Sequence, residues 1–300
     1  MAIGHVTIVG LGLIGSSVAR AVKARLPGVA VTGHDASADV RAEARALGFC
    51  DHVADQPADA VADADLVILA VPVGRMADAA AAIAPGLRAD AIISDVGSSK
   101  SGVADALGRA LPDHLVIPAH PVAGTENSGP AAGFATLFEG RWCIITPPTE
   151  APEDAVAAVA GFWQALGAKV DLMEAAHHDM VLAVTSHLPH LIAYTIVGTA
   201  SELEEVTESE VIKYSAGGFR DFTRIAASDP VMWRDVFLAN KDAVLATLQR
   251  FNEDLTSLQQ AIRRGDGDKL EDWFTRTRAI RRSIIEQGQD DAAPDFGRKH

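Results

Sequence analysis

From residue 5 to about 118, short apolar runs alternate with alanine-rich stretches whose apolar positions fall at helix spacing. That alternation is the signature of parallel strands joined by crossover helices. It places strands at 5–10, 29–34, 51–53, 65–71, 91–94 and 115–118. Two more fall at Trp142 to Thr146 and Ala168 to Leu172, separated by a helix that starts near Pro152 and ends at Gly167. The expected fold class is therefore α/β, a doubly wound, mostly parallel sheet over residues 1–172. After residue 173 the β-like runs disappear, and apolar residues recur at helical spacing through 229–263 and 268–286. An all-α second domain is expected over 173–287, followed by a polar tail, 288–300, expected to be disordered. The most apolar stretch, Met180 to Ala200, contains His187, Pro189 and His190, which a lipid-facing helix tolerates poorly. It reads as a buried helix, with a subunit interface as its expected setting.

Composition narrows the class further. A chain of 300 residues suits two domains, and 48% apolar residues are enough for a substantial core. The net charge of −14 argues against nucleic acid as a partner, because that affinity comes from lysines and arginines facing phosphates. Cys50 and Cys143 have no CxxC spacing, so neither a disulfide framework nor a thiolate metal site is expected. Met1 runs almost directly into the apolar Val6 to Val9, without a basic leader region, so a cytoplasmic location is expected. There is no internal repeat.

Directly after the first strand stand Gly10, Leu11, Gly12, Leu13, Ile14 and Gly15, and a helical stretch follows at once. Strand, glycine motif and helix together form a dinucleotide fingerprint of the Rossmann type. The first glycine permits a tight turn, the second lets backbone approach a pyrophosphate, and the third lets helix and strand pack closely. Asp35 lies twenty residues after Gly15, the distance at which a carboxylate accepts bonds from the adenosine ribose hydroxyls. NAD is therefore expected over NADP, although Arg41 could in principle meet a phosphate and Asp35 could instead cap the next helix, as Ser37 could. Leu13 and Ile14 in the turn and Val71 at the end of the fourth strand complete the expected cofactor set.

In an open α/β sheet, ligands sit beyond the carboxyl ends of the strands. The segments there are SerAspValGlySerSerLys, residues 94–100, and AHPVAGTENSG, residues 119–129. His120 opens the second of these and can accept a proton near neutral pH. Both Ser98 and Ser99 could face the site from a helix N-terminus, or Ser98 could simply cap that helix. His187 and His190 could share a helical face, but no third ligand of suitable spacing accompanies them, and no metal is expected. His177 and His178, ahead of Asp179 at a helix start, read as surface or capping residues.

The combination of GLGLIG, DVGSSK, AHPVAGTENSG, SHLPH and GGFRDFTRIAASDPVMWRD resembles the prephenate and arogenate dehydrogenase family of tyrosine biosynthesis, and the resemblance spans nearly the whole chain. It implies an NAD-dependent oxidative decarboxylation in which hydride leaves C4 of a cyclohexadienol, the ring carboxylate leaves as CO2 and the ring becomes aromatic. It makes His120 the catalytic histidine, bonded to the C4 hydroxyl, and Ser98 the serine that orients it. Arg224 matches the arginine that holds a substrate carboxylate, Arg220 falls at the pocket mouth, and His190 is a substrate-binding donor with His187 behind it. Glu126 and Trp233 are placed near the pocket entrance. A homodimer through the helical domain is also expected. Two other classes compete: β-hydroxyacid and imine-reducing dehydrogenases, which rely on a lysine in the helical domain, and a cofactor-sensing protein without chemistry. His190 and Arg224 in the helical domain argue against the first, and His120, Ser98 and Arg224 against the second.

Overall fold

A computed structural model describes residues 3–125, 127–207 and 217–286. Its elements run β1 (His5–Val9), α1 (Leu13–Arg25), β2 (Ala30–His34), α2 (Ala38–Leu47), β3 (His52–Val53), α3 (Pro57–Ala60), β4 (Leu66–Leu69), α4 (Met76–Ile83), β5 (Ile92–Asp95), α5 (Ser101–Ala110), β6 (Leu115–Val116) and β7 (Ala119–Pro121). Then come β8 (Trp142–Ile145), α6 (Glu153–Ala165), β9 (Lys169–Leu172), α7 (Ala175–Leu182), α8 (Leu188–Thr207), α9 (Gly217–Thr223), α10 (Pro230–Ala239), α11 (Lys241–Arg264) and α12 (Gly267–Glu286).

Six strands form one parallel sheet in the order β3-β2-β1-β4-β5-β6. The order reverses between β1 and β4, and such switch points are where doubly wound folds bind nucleotides. Strands covered on both faces read as continuous apolar runs, and β4, Leu66-Val67-Ile68-Leu69, is buried throughout. Each face carries its own core. Val6, Ile8, Val18, Val22, Phe138 and Trp163 pack on one side, and Val67, Leu69, Met76, Ile83, Val103 and Leu107 on the other.

The strands expected at 142–146 and 168–172 form, but they do not continue this sheet. With β7 they make a second, three-stranded sheet, β7-β8-β9, in which β7 runs antiparallel to β8 and β9 parallel to it. The strand β7 was not expected. It is three residues long, ends in proline and exists through its pairing with β8 far along the chain, so no local alternation announces it.

The helical run expected at 229–263 is broken at Asn240, whose backbone leaves helical geometry at φ −107° and ψ 33°. α10 starts at Pro230, with the Asp229 side chain accepting the Met232 N–H as its cap. From α7 a wide π turn, Ala183–His187, leads into α8. The stretch Ala175–Glu202 is long and apolar enough to cross a membrane; its most apolar 18 residues have a mean hydropathy of 1.5, and 28% of them are buried. Expected as a buried helix set at a subunit interface, it leaves Val184, Ile196 and Val197 exposed within a single chain.

Chain contacts separate two compact units, Met1–Val244 and Leu245–His300. In the second unit Lys269 Nζ donates to Ser257 Oγ between α12 and α11, while Leu255, Ile262, Phe274 and Ile280 are exposed. The tail expected at 288–300 lies outside the described residues.

Candidate active site

All the groups of the site described here belong to the first unit. The turn after β1 is built for close approach. Gly10 has φ +99°, and a Cβ there would stand 2.4 Å from the Ala70 carbonyl oxygen and 3.0 Å from Val71 Cγ1. A Cβ on Gly15 would meet the Gly10 carbonyl oxygen at 1.9 Å, so only glycine lets α1 pack there. Gly12, at the N-cap of α1, has nothing within 4 Å of that position, and no side chain caps the helix. This bare helix start, with Leu13 and Ile14 partly exposed beside it, fits a dinucleotide pyrophosphate.

Asp35 follows β2 and accepts the Leu11 N–H at 2.9 Å and the Ser37 N–H at 2.9 Å. Ser37, not Asp35, caps α2 by accepting from Val40. Arg41 donates to the Asp35 carbonyl at 2.8 Å and to the Asp55 carboxylate at 3.1 Å.

Beyond β5 and β6 the structure assembles a buried polar cluster. His120, on β7 opposite Ile144 of β8, is 7% exposed. Its Nδ1 lies 2.9 Å from Nε2 of His178, and His178 Nδ1 lies 2.9 Å from Asp179 Oδ1. Thus the partner of His120 is His178 rather than Ser98, and no hydrogen bond joins Ser98 to His120. The capping or surface role expected for His178 does not describe a side chain with no exposure. His177, by contrast, is exposed.

Asp179 does the capping instead, from another element. Its carboxylate accepts the backbone N–H of Lys100 at 2.7 Å and of Ser101 at 2.9 Å, where α5 begins. A carboxylate at a helix N-terminus meets both unpaired amides and the positive end of the helix dipole. Burial pushes the Asp179 carboxyl up, but the bonds from His178, Lys100 and Ser101 outweigh it and hold it below its usual range. Ser98 is partly exposed and does not cap α5, while Ser99 is fully buried with its Oγ unpaired.

Lys100 is a residue whose role sequence reasoning missed. It is fully buried, and its Nζ donates to Asp95 Oδ2 and to the Ala119 carbonyl at 2.7 Å. It thereby ties the end of β5 to β7, the strand that carries His120. The available signal was a lone lysine among small residues just past a buried strand.

Burial first, and then the charges of His178, Lys100 and His187, lower the His120 pKa well below the usual histidine value. His187 is likewise pushed down to about 4 by burial. Asn240 Nδ2 donates to the Asp179 carbonyl at 2.8 Å and lies 3.1 Å from His187 Nδ1. Neutral His187 then carries its proton on Nε2, and a bond to the Ser98 backbone carbonyl partly offsets the effect of burial.

Around this cluster, His190 stacks on Trp233 with ring centroids 3.7 Å apart. Its Nδ1 lies 2.9 Å from the Ser186 carbonyl, which can only accept, so neutral His190 presents Nε2 as a lone pair. The donor role expected for it therefore belongs to its protonated form. Burial lowers its pKa, and Arg224 adds to that effect, which places the guanidinium in electrostatic reach. Arg224 opens a short 3-10 turn after α9 and is exposed, as is Arg220 within α9. Glu126 lies outside the described residues. Among the described residues no cluster of three metal-binding side chains occurs.

Comparison with known proteins points one way. A family model described as prephenate dehydrogenase, nucleotide-binding domain, matches residues 18–172, and one described as prephenate dehydrogenase, dimerization domain, matches residues 174–276. The chain is 49% identical over 280 residues to a cyclohexadienyl dehydrogenase of Zymomonas mobilis, covering 93% of this chain and 96% of the relative. It is 34% identical over 293 residues to a prephenate dehydrogenase of Bacillus subtilis, covering 97% and 78%. The crystal structure of prephenate dehydrogenase from Aquifex aeolicus in complex with hydroxyphenyl propionate and NAD+ matches with a TM-score of 0.88 at 32% identity, over 95% of this chain and 99% of that one.

Proposed function

The chain belongs to the prephenate dehydrogenase family, and on that premise we propose that it catalyses the NAD-dependent oxidative decarboxylation of prephenate to 4-hydroxyphenylpyruvate and CO2. The observation that carries the reading is a buried, neutral imidazole, His120, set just past the carboxyl edge of a nucleotide-binding sheet. His120 accepts the proton of the C4 hydroxyl as the carbonyl develops. Bound at the turn after β1, NAD supplies the hydride acceptor. Arg224 offers the ring or side-chain carboxylate a planar fork with two parallel donors. Arg220 stands at the pocket mouth, Trp233 holds His190 by stacking, and Ser98 lines the approach just before α5, with Ser99 buried behind it.

Arogenate is the second reading, and two observations favour it as an additional substrate. The relative from Zymomonas mobilis is a cyclohexadienyl dehydrogenase. His190 in its neutral form also presents a lone pair, which suits the ammonium group by which arogenate differs from prephenate. NAD is preferred to NADP because the Asp35 carboxylate would meet the 2′-phosphate and Arg41 is committed to Asp55 and two carbonyls. Reduced nicotinamide is expected to accumulate faster with NAD than with NADP on either substrate. The absence of turnover with all four cofactor and substrate pairs would refute the assignment.

We divide the chain into a cofactor domain, 1–172, and a helical domain, 173–287, through which two copies pair. The exposed Val184, Ile196 and Val197 and the apolar positions of α11 and α12 support this pairing, because a second copy could cover them. Sedimentation at micromolar concentration is expected to give twice the chain mass, and a single-chain mass would refute pairing. Buried His178, Asp179 and His187 within the Ala175–Glu202 stretch support a cytoplasmic enzyme over a membrane one.

A further inference from the structure

We propose that His178 and Asp179 are positioning residues that select the tautomer of His120, leaving its Nε2 bare to receive the substrate's hydroxyl proton. This rests on the reading of His120 as the base and adds to it the reason that one nitrogen faces the substrate ready to act.

The direction of every bond in the chain follows from its far end. Backbone amides can only donate, and those of Lys100 and Ser101 occupy both oxygens of Asp179, at 2.7 and 2.9 Å. That carboxylate is therefore an acceptor, and His178 Nδ1, 2.9 Å away, must carry the hydrogen between them. A neutral imidazole with its hydrogen on Nδ1 has a lone pair on Nε2. His178 Nε2 stands 2.9 Å from His120 Nδ1, so His120 Nδ1 must be the donor there. Neutral His120 then has no hydrogen on Nε2, and no group of the described chain occupies that nitrogen.

Burial makes the selection strict. His178 is 0% exposed, Asp179 5% and His120 7%, so water cannot readily substitute for a misdirected bond. Burial also lowers the pKa of His178, as it does for His120, so the neutral forms used in the argument are the resting ones. In the reaction the hydroxyl O–H bond breaks and an N–H bond forms at His120 Nε2. The positive charge created on the ring is held by the bond to His178, which in turn leans on the fixed negative charge of Asp179. This resembles a carboxylate orienting a catalytic histidine, with one more imidazole inserted between them.

The first test needs no turnover. Nitrogen-15 NMR of the histidine-labelled full-length protein near neutral pH, with the His120 signals assigned by their loss in His120→Asn, is expected to show a bare Nε2 and a protonated Nδ1. The opposite pattern would overturn the proposal. The second test is Asp179→Asn, whose amide group can turn toward His178 Nδ1 and reverse the chain, placing the hydrogen on His120 Nε2. It is expected to lower kcat by about 10²-fold or more, within the roughly 10⁴-fold reached when such a carboxylate is neutralised, while KM changes little.

Asp179 also caps α5, so the variant could fail to fold. A pair at position 178 covers that case. His178→Gln can still accept from His120 Nδ1 through its amide oxygen, whereas His178→Leu cannot. At similar thermal midpoints the glutamine variant is expected to retain at least about tenfold more kcat, in line with the contribution of a positioned proton acceptor. Equal kcat values in the two would overturn the proposal. An active wild type with the reversed tautomer defeats only this inference, whereas a wild type inactive on both substrates defeats the function and leaves the NMR result standing.

Discussion

His120→Asn is expected to lower kcat by about 10²- to 10⁴-fold with little change in KM, the pattern of an interaction made in the transition state alone. Asparagine can place an amide nitrogen near the position of Nδ1, where it can still donate to His178 Nε2. Arg224, His190 and Trp233 are untouched, so ground-state binding of the substrate is preserved. What disappears is the atom that takes the proton. Steady-state kinetics measured as nicotinamide reduction separate the two parameters. A variant with kcat within about threefold of wild type would remove His120 from the chemistry. The wild-type pH profile offers a further check with a definite sign. Burial and the charges of His178, Lys100 and His187 all oppose protonation of His120, so its loss as a base on acidification begins well below the ordinary histidine value of 6.5.

Lys100→Met is expected to destabilise the protein by about 3–5 kcal/mol, the usual cost of removing one member of a buried ion pair. Methionine nearly matches the volume of lysine, so a cavity is not the main penalty. The cost arises at Asp95, which is 0% exposed and whose Oδ1 already lacks a partner. Without the ammonium group, Oδ2 keeps only the Gly97 N–H at 2.7 Å. The Ala119 carbonyl loses its donor as well. Urea unfolding measures the loss, and adding Asp95→Asn to Lys100→Met should recover much of it, since the stranded charge is then gone. A single-variant loss below about 1 kcal/mol would mean that the buried charges are tolerated without each other.

The parts of the molecule that were legible in the sequence are those written in short-range pattern. β1, the Gly10 to Gly15 turn and α1 are consecutive, and glycine at 10 and 15 is demanded by contacts as close as 1.9 Å. Residue type and position beyond a strand also singled out His120. Its support was hidden because His178 and Asp179 are brought to it from 58 and 59 residues away. A histidine pair before an aspartate at a helix start looks locally like a cap, and Asp179 is indeed one, but for α5 rather than for its own helix. The break at Asn240 was concealed for the same reason: its side chain is spent on Asp179 and His187, not on a local turn. Ser98 drew attention through its motif, although the buried, bonded members of that motif are Asp95 and Lys100.

The setting of His120 on β7, a strand that was not expected, has an entropic consequence. Fixing the backbone of one residue costs about 1–2 kcal/mol. Ala119, His120 and Pro121 are already held by β8, with Lys100 clamping the first carbonyl. Substrate arriving at this site does not have to order the base before using it, and its binding free energy remains available for bringing the C4 hydroxyl into line.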